Sequence, residues 1–176
     1  MKAQFWSFDL IFAIIIFVLA MVIMTYIWVN INNEFSLAYS SNIQHMQSQL
    51  VETGAQLMST GYPSNWEYTS SVTNTMEWAN ISIGLGNGTA DGLSYNKMTA
   101  LRFLSEYDYQ ETKPPLGLAY DYYITITGEG INYEAGLNPS TENITSIQVE
   151  KFPAVLNGRP VTVQLEIWSN STLGIE

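Results

Sequence analysis

Residues 10–29 read LIFAIIIFVLAMVIMTYIWV, a run of twenty in which only Thr25 and Tyr26 carry a hydroxyl and no residue carries a charge. At about 1.5 Å of rise per residue, a helix of that length measures roughly 30 Å, the thickness of a bilayer's hydrocarbon core. A helix buried in a soluble core keeps a polar stripe somewhere, and this run keeps none. It therefore predicts a membrane-spanning helix. A cleaved secretory signal would carry a shorter apolar stretch of about 7–15 residues and a small-x-small site after it. The chain continues instead with Asn30-Ile31-Asn32-Asn33-Glu34-Phe35, so the segment reads as a retained anchor.

Charge gives the orientation. Lys2 precedes the span, while the first charged residues after it are Glu34 and Glu52. Positive charge stays on the cytoplasmic side, so the N-terminus is expected inside and the bulk of the chain outside. Trp6 and Trp28 flank the run, where amphipathic rings favour the interface. The 176-residue chain carries a formal charge of −10, a poor match to phosphate backbones, so no nucleic acid partner is expected. It has no cysteine, which excludes disulfides, thiolate metal sites and cysteine nucleophiles.

Beyond the span the pattern becomes amphipathic. Ile43, Leu50 and Leu57 recur every seven residues with Met46 and Met58 beside them, and Gln44, Gln47, Ser48, Gln49 and Glu52 fill the other faces. Ser59-Thr60-Gly61-Tyr62-Pro63 supplies a stop, with a Gly just past the helix and a Pro two residues on. The striped half is expected to pack on its own domain. The chain thus divides into a leader and helix start (1–9), a transmembrane helix (10–29), its extracytoplasmic continuation (30–60) and a β-rich domain (61–176).

Within that domain, residues 161–168 (VTVQLEIW) alternate strictly, with Val161, Val163, Leu165 and Ile167 on one face. Tyr122, Ile124 and Ile126 alternate likewise, and so do Ile147 and Val149, each set expected to face the core. Asn157-Gly158 marks a hairpin, because both residues tolerate positive φ. A short strand is expected at Ile81, Ile83 and Leu85, and residues 128–143 read as loop-rich, with no strand placed there. Ser94 is placed to cap a helix carrying Met98, Leu101 and Leu104, which Lys113-Pro114-Pro115-Leu116-Gly117 then breaks. The expected fold class is α+β, a long N-terminal helix packed on an antiparallel sheet.

The sequence holds no nucleophile elbow, P-loop, dinucleotide fingerprint or zincin helix. No enzyme activity, cofactor, metal or small-molecule substrate is expected. His45, the only histidine, is expected at a solvated helix position, and Glu106, Asp108 and Glu111 lack the ligand spacing of a calcium loop. Sequons at Asn80, Asn87, Asn143 and Asn170 become candidate glycan sites if the domain is outside.

The N-terminal residues Met1-Lys2-Ala3-Gln4-Phe5-Trp6-Ser7-Phe8-Asp9, running straight into the span, resemble the class III signal peptide of archaeal type IV pilin-like proteins. Gly61-Tyr-Pro-Ser-Asn-Trp66 and the strand at 161–168 are similar, less specifically, to segments of archaeal membrane-anchored proteins of this type. The resemblance implies cleavage between Ala3 and Gln4 on the cytoplasmic side and retention of the apolar helix as the packed core of a surface filament. It also implies that Asp9 pairs with a neighbouring subunit's new α-amino group. Without the resemblance, Asp9 reads as a first-turn carboxylate behind a Ser7 N-cap. Implied partners are membrane lipid and other pilin-like subunits. The alternative is a non-polymerising anchored ectodomain that binds a surface partner or glycan.

Overall fold

A computed structural model of the chain describes residues 3–69, 78, 80–142 and 144–170. Its first element, α1 (Ala3–Met58), is a single 56-residue helix, so the apolar run and the striped run behind it are continuous. Because α1 begins at Ala3, Ser7 lies inside the helix rather than at its N-cap, and the first turn holds no acidic residue. The chain divides into two compact units, Met1–Ser41 and Asn42–Glu176, and the division falls within α1. The side chains give the reason: residues 8–41 are exposed on every face, whereas from Asn42 onward one face is buried.

In the second unit that face carries Asn42, Met46, Leu50, Thr53, Gly54 and Leu57, at spacings of three and four that keep them on one side of the helix. Ile43 sits half-buried at its margin. The striped segment therefore packs on its own domain, as its pattern predicts. Further helices are short, among them α2 (Trp66–Thr69), α3 (Tyr95–Tyr107) and α4 (Tyr109–Thr112). Ser94 occupies the N-cap position of α3 as expected, but its hydroxyl makes no capping hydrogen bond.

The strands are β1 (Gly92–Leu93), β2 (Asp121–Gly128), β3 (Ile131–Gly136), β4 (Ser146–Leu156) and β5 (Arg159–Ser169). They form one five-stranded sheet in the order β1-β4-β5-β2-β3. The architecture is α+β, and the sheet is mixed rather than antiparallel throughout, since β1 runs parallel to β4. The long hairpin β4–β5 closes at Asn157-Gly158 with φ of 52° and 78°, the positive values that this pair was expected to supply.

Three expectations are corrected. The segment read as loop-rich at 128–143 contains β3, whose Ile131, Tyr133 and Ala135 alternate against Asn132, Glu134 and Gly136. Ala and Gly are weak strand formers, which hid the alternation. The strand expected at Ile81, Ile83 and Leu85 makes only an isolated bridge, Tyr62 to Ser82. Its remaining amides turn to scattered partners, Ile83 to Pro115 (3.0 Å) and Leu85 to Leu57 (2.7 Å), so no ladder forms.

The third correction concerns β4. Ile147 and Val149 point away from the core, 39 % and 47 % exposed. Two ladder pairs explain this: Ala154 lies opposite Val161 and Phe152 opposite Val163, so the even-numbered residues of β4 share the buried face of β5. That face meets α1. The Phe152 ring lies where a Cβ on Gly54 would be, and the Ser146 hydroxyl donates to Met46 Sδ at 3.4 Å. Farther along the same face α3 covers β3, and the Tyr133 hydroxyl donates to the Met98 carbonyl at 2.6 Å.

Candidate functional site

The first unit carries the feature that most sets this chain apart, a helix apolar on every side. Its most apolar eighteen-residue window has a mean hydropathy of 3.0 and no buried share, so this helix is long and apolar enough to cross a membrane. Large side chains all around it are open: Phe12 is 61 % exposed, Ile16 65 % and Met24 75 %. The Thr25 hydroxyl donates back to the Met21 carbonyl at 2.8 Å, so in an apolar medium it would already be satisfied.

The energetics favour transfer. Thirteen of residues 10–29 are Leu, Ile, Phe or Val, and at about −0.5 kcal/mol each near mid-bilayer they contribute roughly −6 kcal/mol. A carboxylate at the bilayer centre opposes this by about 3 kcal/mol, and by less near the edge. Asp9 lies at the edge and is exposed. It does not prevent insertion. Ala3 and Gln4 form the first turn of the α1 backbone.

In the second unit, Asn80, Asn87 and Asn170 are exposed, while Asn143 lies outside the described residues. The Asn87 side-chain oxygen accepts from the Thr89 amide (2.9 Å) and hydroxyl (2.6 Å) of its own sequon. His45 is exposed as expected, yet it is not free. Its Nδ1 lies 3.1 Å from the Tyr120 hydroxyl, which donates to Asn42 Oδ1 at 2.6 Å. With that proton committed to Asn42, His45 must be the donor, which fixes its Nδ1 as protonated. This bridge joins α1 to the chain just before β2, through residues 75 and 78 positions apart, a separation at which spacing carries no signal.

The acidic residues near α4 are dispersed. Glu106 pairs with Arg102 at 2.8 Å, and Asp108 caps α4 by accepting from the Glu111 amide at 3.3 Å. Nearby, Lys113 pairs with Asp121 and lies 5.1 Å above the Tyr109 ring, fastening α4 to β2. Among the described residues no group of three His, Cys, Asp or Glu could hold a metal ion. Burial raises the phenols of Tyr122 and Tyr133 well above the ordinary tyrosine value.

Comparison with protein-family models, with curated proteins and with solved structures found no match.

Proposed function

We propose that the chain is a pilin-like structural subunit of a cell-surface filament, anchored or assembled through its apolar N-terminal helix. The observation that carries this reading is the solvent exposure of every side chain across residues 8–41 of a helix whose remainder is a packed domain face. Such a surface has two stable environments, lipid and other helices like itself, and a filament subunit uses both in turn. The N-terminus is cytoplasmic in this reading and the acidic unit outside, in keeping with Lys2 before the span and Glu34 after it. Cleavage falls between Ala3 and Gln4, and Asp9 meets the new α-amino group of a neighbouring copy.

The test combines two measurements on protein from native membranes. Its intact mass and N-terminal sequence are expected to show a mature chain beginning at Gln4, and sheared surface material is expected to contain it. Asp9→Ala should lower the yield of sheared filaments about tenfold or more, while the thermal transition of the Asn42–Glu176 unit stays in place. The loss matches the few kcal/mol that the neighbouring copy's α-ammonium costs when it is left in an apolar packing without its partner. Undiminished filaments in the variant would remove Asp9 from assembly. A chain that retains its leader and is missing from sheared material would establish the anchored, non-polymerising ectodomain instead.

A further inference from the structure

Between α3, β3 and the β4–β5 turn lies an open groove of about 780 Å³, lined in part by Tyr95, Arg102, Phe103, Tyr133, Asn157 and Arg159. Its chemistry departs from that of the molecule around it. The chain as a whole carries −10 with six Lys and Arg, yet two of those six cations line this groove. Glu106 is the one carboxylate among the lining residues, and with Glu134 just outside them it compensates Arg102, so Arg159 is the cation left unbalanced in the groove. A cationic cleft in an acidic surface focuses field lines and attracts anions.

The two guanidinium groups are held differently. Arg102 gives its Nε to Glu106 at 2.8 Å, one helical turn along α3, which steadies the side chain and leaves its terminal nitrogens unspent. Arg159, at the start of β5, has no ion-pair or hydrogen-bond partner for its side chain among the described residues. The forked donors of Arg match a carboxylate bidentately. Below them the surface is aromatic. Tyr95 and Phe103 stand 63 % and 57 % exposed, and the Tyr133 ring beside them is locked by its hydroxyl's bond to Met98. Flat, open rings beside charge-bearing forks suit a ligand whose body has apolar faces and whose edge bears carboxylates and hydroxyls.

We propose that this groove binds a carboxylate-bearing oligosaccharide of the uronic-acid class, with the sugar faces on Tyr95 and Phe103 and a carboxylate on Arg159 and Arg102. The charge complementarity selects an anion, and the exposed rings select a sugar over a peptide acid, whose extended backbone offers no flat apolar face. This inference concerns the folded C-terminal unit alone and stands whether or not copies of the chain polymerise.

The experiment titrates the full chain, in nonionic detergent micelles, with an oligogalacturonate of about four residues, by calorimetry. A neutral gluco-oligosaccharide and an oligoglutamate, both of matched length, serve as comparators. The oligogalacturonate is expected to bind about tenfold or more tighter than either and to weaken as salt is added. Arg159→Gln is expected to abolish its advantage over the neutral sugar. Phe103→Ala is expected to weaken both sugars several-fold. The side chains of Arg159 and Phe103 are both exposed, so an unchanged thermal transition will show that the variants fold. Absence of binding, equal affinity for oligoglutamate, or binding indifferent to Arg159→Gln would each overturn the proposal.

Discussion

Lys97 is 3 % exposed, and its ammonium donates to the carbonyls of Thr60 (2.7 Å) and Gly86 (3.0 Å). The last turn of α1 holds no basic residue, so this lysine of α3 supplies the positive charge that the negative end of a helix favours. Lys97→Met keeps most of the packed stem but strands the buried Gly86 carbonyl and the half-buried Thr60 carbonyl. The variant is expected to lose about 2–4 kcal/mol in chemical unfolding, because only one side of the interaction is removed. A Met variant as stable as the parent would show that the carbonyls find other donors. Neither Lys97 nor the hydrogen bonding of His45 was legible in the sequence. Each depends on segments that meet only after folding, Thr60 and Gly86 around the first and Tyr120 beside the second. Gly54 is a similar case: it reads as an ordinary weak helix residue until the Phe152 ring is seen against it.

Among the elements, β5 and β2 were readable both as strands and in the face they bury, β4 was readable as a strand but with the wrong face inward, and β3 was not readable. β5 places Val161, Val163, Leu165 and Ile167 in the core as its pattern predicts, and its register with β4 is fixed by the two-residue turn. Four apolar positions on β5 then outweigh Ile147 and Val149 on β4, which take the outer face. The consequence falls on Glu150, opposite Leu165 on the inner side, where its Oε2 is buried with no hydrogen-bond partner among the described residues. Glu150→Leu is expected to raise stability by about 1 kcal/mol, since it replaces an unsatisfied carboxylate with apolar contact. A lower melting temperature in that variant would show that the carboxylate has a partner worth keeping. The same strand guards its own edge. The Val155 amide points away from β5 to the Asp91 carbonyl (2.8 Å), and by the same parity Pro153 presents no amide there while Lys151 adds a charge. A proline and a lysine on a free edge discourage another strand from pairing with it.

The first unit is an apolar helix long enough to cross a membrane, and that run was the most legible fact in the sequence, since twenty uncharged residues in a row admit few readings. The interior of the second unit was less so, because alternation places Tyr122 in the core without giving the partner of its hydroxyl. Tyr122 is fully buried and Tyr133 nearly so. Thr112 gives its hydroxyl proton to the Tyr109 carbonyl (2.6 Å), so the Tyr122 phenol donates to Thr112 (2.7 Å), as Tyr133 donates to Met98. Both groups are thus needed as phenols, and burial holds their pKa well above the ordinary value of about 10. Below pH 10 or so, folded and unfolded chains are equally protonated at these sites, and their contribution to stability is fully present. Above it the unfolded chain releases these protons while the folded one keeps them, so stability falls as pH rises. Each such phenol contributes an alkaline slope that amounts to about 1.4 kcal/mol between about pH 9 and about pH 11, and the two together roughly 2.7. Denaturant unfolding of the micelle-bound chain at about pH 9 and about pH 11 measures that slope against the ordinary tyrosine pKa. Tyr133→Phe should be modestly less stable near neutrality, having lost its bond to Met98, yet should lose stability less steeply in alkali by about half of that two-phenol slope. An alkaline slope unchanged in the Phe variant would mean that Tyr133 ionises in the folded chain as it does in the unfolded one, and that the interior between α3 and β3 admits water.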